Sequence, residues 1–213
     1  MAIKSKIITV VLLAAFSVAS YHYGTLNPNK KLLQQIKNDS VAQVQEEWEG
    51  YGYHEPDMVY SDNDSFIIAV DKCVSFVNLS TPPLLRVDRK IIIAMSIVES
   101  GYGTSRFAIK GNNLFGIRTW DSSQAQMKPK ENPNAEWGVK TFITKCQSVK
   151  EAIRILNTLE VYSDFRKERE MQLDQGVVDL DQQAKHLASW STNPLYIKLI
   201  QNKIKNISKL LDK

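Results

Sequence analysis

The sequence predicts a mostly α protein of the α+β class, a helical domain carrying one small β-hairpin lobe. Three observations support this. Apolar residues recur at spacings of three and four in several separate segments, which is the helical period. One segment, Ile91-Ile92-Ile93-Ala94-Met95-Ser96-Ile97-Val98, is apolar almost without interruption, as expected of a central helix buried nearly all round. Short alternating stretches are confined to residues 114–142, so that is where the β lobe belongs. With 213 residues the chain has room for one ordinary domain and an extension.

The elements follow in order. Lys4 and Lys6 precede an uncharged apolar run over residues 7–19 that ends in the small residues Ser17-Val18-Ala19, the layout of a secretory signal. The run is shorter than the roughly 20 residues that span a bilayer comfortably. Tyr21 and Tyr23 nevertheless extend it with interfacial side chains. Residues 1–23 therefore read either as a cleaved signal peptide or as an anchor in the inner membrane. Both readings place the remainder in the periplasm or outside the cell. Residues 24–62 read as a stalk and linker: Leu32, Leu33, Ile36, Val41, Val44 and Trp48 give an amphipathic helix over 29–50, and a polar turn cluster ends at Ser65.

Residues 63–213 form the working domain. A helix is expected over 66–79, stopped by Pro82-Pro83, and the central apolar helix starts at a cap on Asp88. In the β lobe, strands over 114–120 and 136–142 are joined by a polar loop. Ser148 and Glu151 read as a capping box, further helices as 162–173 and 180–189, and Asn193-Pro194 as the cap and first residue of the last helix.

Composition excludes several classes. Lys plus Arg number 27 against 23 Asp plus Glu, a net charge of +4 without extended basic runs, so no nucleic-acid partner is expected. Two cysteines and three scattered histidines offer no metal-ligand spacing, and neither metal nor cofactor is expected. Cys73 and Cys146 read equally as a disulfide permitted by an oxidising compartment or as two buried thiols. A monomer is the expected state.

Glu99 is the odd residue of its neighbourhood. It ends the most apolar segment of the chain, immediately before Ser100-Gly101-Tyr102-Gly103, where the helix must stop. A carboxyl held on a rigid rod and backed by hydrocarbon is desolvated, which favours its neutral form. An acid still protonated near neutral pH is what breaking a glycosidic bond needs, because the leaving oxygen must take a proton. The plain alternative is a solvated helix-end Glu, disfavoured there by the negative end of the macrodipole.

The stretch Val98-Glu99-Ser100-Gly101-Tyr102-Gly103-Thr104-Ser105-Arg106-Phe107-Ala108, continued by Gly111-Asn112-Asn113-Leu114-Phe115-Gly116-Ile117, resembles bacterial cell-wall glucosaminidases. These are the FlgJ-type and Bax-like members of glycoside hydrolase family seventy-three. The Bax-like branch is also similar at Phe142, Ser148-Val149, Leu156-Asn157-Thr158, Tyr162, Phe165-Arg166, Ser191 and Tyr196, so the resemblance covers roughly residues 66–207.

The resemblance implies a lysozyme-like fold that cuts peptidoglycan glycan strands between N-acetylglucosamine and N-acetylmuramic acid. It implies Glu99 as the catalytic acid, with Ser100, Tyr102, Asn113, Leu114 and Phe115 along the substrate cleft. Tyr196 matches an active-site tyrosine of the segment "Y-x-T-D-P-x-Y", which here reads Trp190-Ser191-Thr192-Asn193-Pro194-Leu195-Tyr196. Trp190 as a sugar platform and Tyr196 as a hydroxyl donor stand beside core roles for both. For the second catalytic group the candidates are Glu136, less so Glu131, or the substrate's own acetamido group. A lytic transglycosylase, a muramidase and a non-catalytic wall-binding scaffold are the competing readings on this fold.

Overall fold

The computed structural model describes residues 11–21, scattered positions between 23 and 52, and residues 54–212. The chain divides into two compact units, Met1–Tyr53 and His54–Lys213. In the first, residues 11–21 are helical and exposed. Among the described residues no helix is long and apolar enough to cross a membrane. Lys4, Lys6 and much of the stalk expected over 29–50 lie outside the described residues; the positions described there are helical.

The second unit is built around its apolar rod. Helix α1 (Asn63–Leu79) opens with a reciprocal cap in which Asp62 accepts from the Ser65 N–H and Ser65 accepts from the Asp62 N–H. Helix α2 (Arg89–Ser100) begins where Asp88 accepts from the Lys90 N–H at 2.8 Å. Its residues Ile91, Ile92, Ile93, Ala94 and Met95 have no exposed surface, because α2 packs against α1 and against helices α4 (Lys145–Thr158) and α7 (Tyr196–Leu211). Apolar burial on every side is the physical meaning of the uninterrupted hydrophobic run. Helix α3 (Arg106–Gly111) follows α2, while α5 (Ser163–Asp174) and α6 (Leu180–Lys185) complete the helical body.

Cys73 on α1 and Cys146 on α4 are joined in a disulfide with their Cα atoms 5.4 Å apart, which decides between the two readings of the cysteines. Residues 54–62, read as linker from the sequence, pack on the domain. Tyr60 donates from Oη to the Gly103 carbonyl at 3.1 Å and sets its ring edge-on to Phe66, and the Thr144 hydroxyl donates to Glu55.

The β lobe is a three-stranded antiparallel sheet rather than a hairpin. Strands β1 (Arg118–Thr119), β2 (Gln126–Met127) and β3 (Gly138–Lys140) lie in the order β1-β3-β2, with Val139 opposite both Arg118 and Met127. The two expected strands do pair. The third comes from the polar loop, where two residues are too few to show alternation.

Two helix starts also differ from expectation. Helix α4 begins four residues early, capped by Thr144, and Ser148 instead returns its hydroxyl to the Lys145 carbonyl at 2.7 Å. Helix α7 begins at Tyr196, because the Asn193 side-chain Oδ1 accepts from the Leu195 N–H in a local turn. The helix expected over 180–189 ends at Lys185, and a separate 3-10 turn covers Ala188–Trp190.

Candidate active site

The last turn of α2 places Glu99, and the backbone then reverses within a few residues. Gly101 takes the left-handed conformation (φ 58°) that closes a helix without a Cβ clash, and its N–H bonds the Ile97 carbonyl at 2.9 Å. Ser100 locks this exit. Its Oγ donates to the Ser96 carbonyl at 2.6 Å and accepts from the Gly103 N–H at 2.8 Å. Such a tight turn clears the space beyond Glu99. The carboxyl faces a groove of about 600 Å³ that runs between the β lobe on one side and Tyr162 and the 189–192 segment on the other.

Electrostatically this carboxyl is far from ordinary. Burial against the end of the apolar rod pushes Glu99 up from 4.5 to about 7. The Tyr196 hydroxyl opposes the rise. It approaches the carboxyl from a ring that is only 2% exposed, yet misses the geometry of a full hydrogen bond, so its buried Oη has no protein partner. Tyr196 itself is pushed well above the usual phenol range, first by burial and then by the Glu99 charge. Tyr162, across the groove, is pushed up to about 12 by the same two causes in the same order. Burial thus favours the neutral carboxyl, and at neutral pH Glu99 divides between its protonated and ionised forms beside two neutral phenols.

The floor and far wall are aromatic. Trp190 donates from Nε1 to the Phe115 carbonyl at 3.4 Å, meets the Phe115 ring edge-on at 6.3 Å, and lies tilted against Tyr162 at 5.9 Å. Beside them Gly116, at φ 63°, brings bare backbone to the acid: a Cβ there would stand 3.7 Å from Glu99 Oε2. Asn113 creates that approach. Its amide nitrogen donates to the Ile117 and Lys140 carbonyls at 3.0 and 2.8 Å, and its oxygen accepts from the Phe115 and Ile117 N–H groups at 3.1 Å each. All of its hydrogen-bonding capacity is consumed inside the wall.

On the sheet side the groove is lined by Arg118 and by the exposed Trp120. The Arg118 guanidinium lies over the Trp137 ring at 4.0 Å. Among the described residues that line the groove, Glu99 is the sole carboxylic acid and Arg118 the sole formal cation. No group of three His, Cys, Asp or Glu side chains among the described residues is arranged to hold a metal ion.

The residues expected at the cleft thus separate. Glu99, Phe115 and Trp190 line the groove together, and Tyr196 stands behind Glu99. Asn113, Leu114 and Ser100 are buried and work as scaffold: Leu114 is core, and the other two are saturated by backbone. Tyr102 turns to the other side of α2, edge-on to Phe66 and in contact with Lys203, which donates to its hydroxyl at 3.1 Å. Glu136 and Glu131 are exposed on the loop before β3 and are not groove-lining residues. Arg118 and Trp120 read in the sequence only as strand residues, and Tyr162 only as a helix start and one match of the Bax-like resemblance; the groove gives all three a place at the site.

Comparison with known proteins agrees with this geometry. The family model Glucosaminidase, described as mannosyl-glycoprotein endo-beta-N-acetylglucosaminidase, matches residues 84–209. Protein bax of Escherichia coli (strain K12) is 35% identical over 79 residues, which cover 37% of this chain and 27% of that protein, so the match spans about a quarter of its length. The catalytic domain of the autolysin Auto from Listeria monocytogenes superposes with a TM-score of 0.52 at 15% identity, over 84% of this chain and 97% of that one, a likeness of fold. The truncated glycoside hydrolase domain of FlgJ from Salmonella typhimurium gives a TM-score of 0.49 at 15% identity, over 70% and 99%. With its acid-bearing α2, its β lobe and its aromatic wall all inside a family match that spans more than half of its length, the chain belongs to the glucosaminidase family.

Proposed function

We propose that the protein hydrolyses peptidoglycan glycan strands at the β-1,4 bond between N-acetylglucosamine and N-acetylmuramic acid, with Glu99 as general acid. The observation that carries the reading is the Glu99 carboxyl itself, pushed up to about 7 by burial and open to a sugar-sized groove. Glu99 passes its proton to the glycosidic oxygen as the C1–O bond breaks. The acetamido carbonyl oxygen of the same N-acetylglucosamine closes on C1 and takes up the positive charge as an oxazolinium ring. Water then adds to C1 as the ring's C1–O bond breaks and its electron pair returns to the acetamido group, and the water gives a proton back to ionised Glu99, which restores the acid. During the ionised interval the unpartnered Tyr196 hydroxyl is at hand to donate to the carboxylate.

Substrate assistance is supported by Glu99 being the sole acid among the described groove-lining residues. Glu136 is the alternative second group. As a base in an inverting reaction it would have to stand about 6.5–9.5 Å from Glu99. The anomer first released separates the two: retention fits acetamido assistance, inversion fits Glu136.

Such a substrate lies in the periplasm or outside the cell, and the domain is assigned there, with residues 1–23 either removed or serving as a membrane tether. The Cys73–Cys146 disulfide suits an oxidising compartment. Mass spectrometry of muropeptides after digestion tests the proposal. Reducing N-acetylglucosamine ends are expected from wild type and none from Glu99→Gln. Reducing N-acetylmuramic acid would reveal a muramidase, anhydro-muramic ends a transglycosylase, and an undigested wall a non-catalytic scaffold.

A further inference from the structure

The groove holds one charged group that proton transfer does not use. Arg118 lies on β1, the edge strand of the sheet, and is exposed at the groove wall. The ring of Trp137 beneath its guanidinium, at 4.0 Å, restricts its rotation. No ion pair joins it to any carboxylate among the described residues. Other arginines of the domain contrast with it: Arg89 pairs with Asp71, Arg154 with Glu151, and Arg166 with Glu160. A guanidinium stacked on one face keeps its in-plane N–H groups free, and their fork matches a carboxylate. Glu99, the single acid among the described residues lining the groove, makes no ion pair with Arg118, and burial favours its neutral form.

From this placement we propose that Arg118, stacked on Trp137, is a specificity residue that binds a free carboxylate of the glycan beside the scissile sugar. The inference rests on the peptidoglycan reading, since that polymer carries carboxylates whereas a plain N-acetylglucosamine polymer carries none. Two sources share the chemistry: the lactyl carboxylate of N-acetylmuramic acid where the stem peptide is absent, and a carboxylate of the stem peptide where it is present. The guanidinium selects the anionic polymer and fixes its register over Glu99.

Binding separates this inference from the catalytic one, because it can be read without cleavage. Glu99→Gln protein, with Arg118 or with Arg118→Gln, is titrated by calorimetry with three oligosaccharides. These are stem-bearing strands, stem-free strands with free lactyl groups, and stem-free strands whose carboxylates have been converted to amides. With Arg118 present, at least one carboxylate form should bind about fivefold more tightly than the amide form, the upper range for an exposed ion pair. Arg118→Gln should erase that preference, and Arg118→Lys should restore part of it. Whichever carboxylate form shows the preference identifies the source. Equal affinity for all three ligands, or a preference that survives Arg118→Gln, overturns the inference. Failure of the wild-type enzyme to release reducing N-acetylglucosamine would instead overturn the catalytic reading, while leaving the binding result to stand or fall separately.

Discussion

Replacing Glu99 by Gln should stabilise the protein at neutral pH while abolishing its activity, and the size of the effect follows from the environment of the carboxyl. Burial holds Glu99 near 7 in the folded protein against 4.5 without it. The folded state therefore binds the proton more tightly than the unfolded chain. The sign follows: Glu99 is neutral on both sides of the equilibrium below pH 4.5, and folding loses stability as pH rises from there through 7. Integrating over those two values gives a cost of about 1 kcal/mol at pH 5 and about 3 kcal/mol at pH 7, with little further change above. Glutamine keeps the shape and cannot ionise, so its own effect on packing is independent of pH. Urea denaturation of both proteins at pH 5 and pH 8 should show the stability of Glu99→Gln relative to wild type growing by about 2–3 kcal/mol. In thermal melts that corresponds to about 2–4 °C for each kcal/mol in a domain of this size. The same ionisation should give kcat/KM an alkaline limb near pH 7. A stability difference that stays flat from pH 5 to pH 8 would show that Glu99 titrates normally, and the protonated-acid argument would fail with it.

Other substitutions report on how the groove is built. Asn113→Ala strands two N–H groups and two carbonyls of the wall, and should cost about 2–4 kcal/mol with loss of order in the β lobe, read by urea denaturation and amide exchange. Gly116→Ala puts a Cβ at φ 63° beside Glu99 Oε2; about 1–2 kcal/mol of stability should be lost, and kcat should fall more than KM rises. The Cys73→Ala, Cys146→Ala double variant removes a crosslink spanning 73 residues and should lower stability by about 4 kcal/mol, while the muropeptides that remaining folded protein releases stay the same.

How far the fold could be read in advance depended on how local its causes are. The central helix, its Asp88 cap, its Gly101 stop and the hydrocarbon backing of Glu99 are all decided within about a dozen residues, and each is legible. The short helix α3 and strand β2 were not, because six and two residues carry too little periodicity to stand above a loop. Two helix starts were misplaced where several plausible caps compete within four residues: Thr144 prevailed over Ser148, and Asn193 closed a turn instead of starting a helix. The site divides along the same line. Glu99 betrays itself by polarity in an apolar run. Arg118 acquires meaning, and Tyr162, until then one match of the resemblance, its place at the site, only when the β lobe and the α5 entrance are brought to opposite sides of one groove. Asn113, Leu114 and Ser100 stand in the motif with no free surface to offer a sugar, so adjacency in sequence to the acid marked the architects of the wall together with its face.

The seat of the acid has a mechanical consequence. Because Ile91, Ile92, Ile93 and Met95 are wholly enclosed, sliding or tilting α2 would open gaps throughout the interior, and the cost of such voids forbids it as a response to ligand. The opposite bank hangs on strands of two and three residues with Trp120 standing free at its edge. Adjustment to the thickness of an incoming polymer is therefore less costly on the sheet than on the rod that carries the proton.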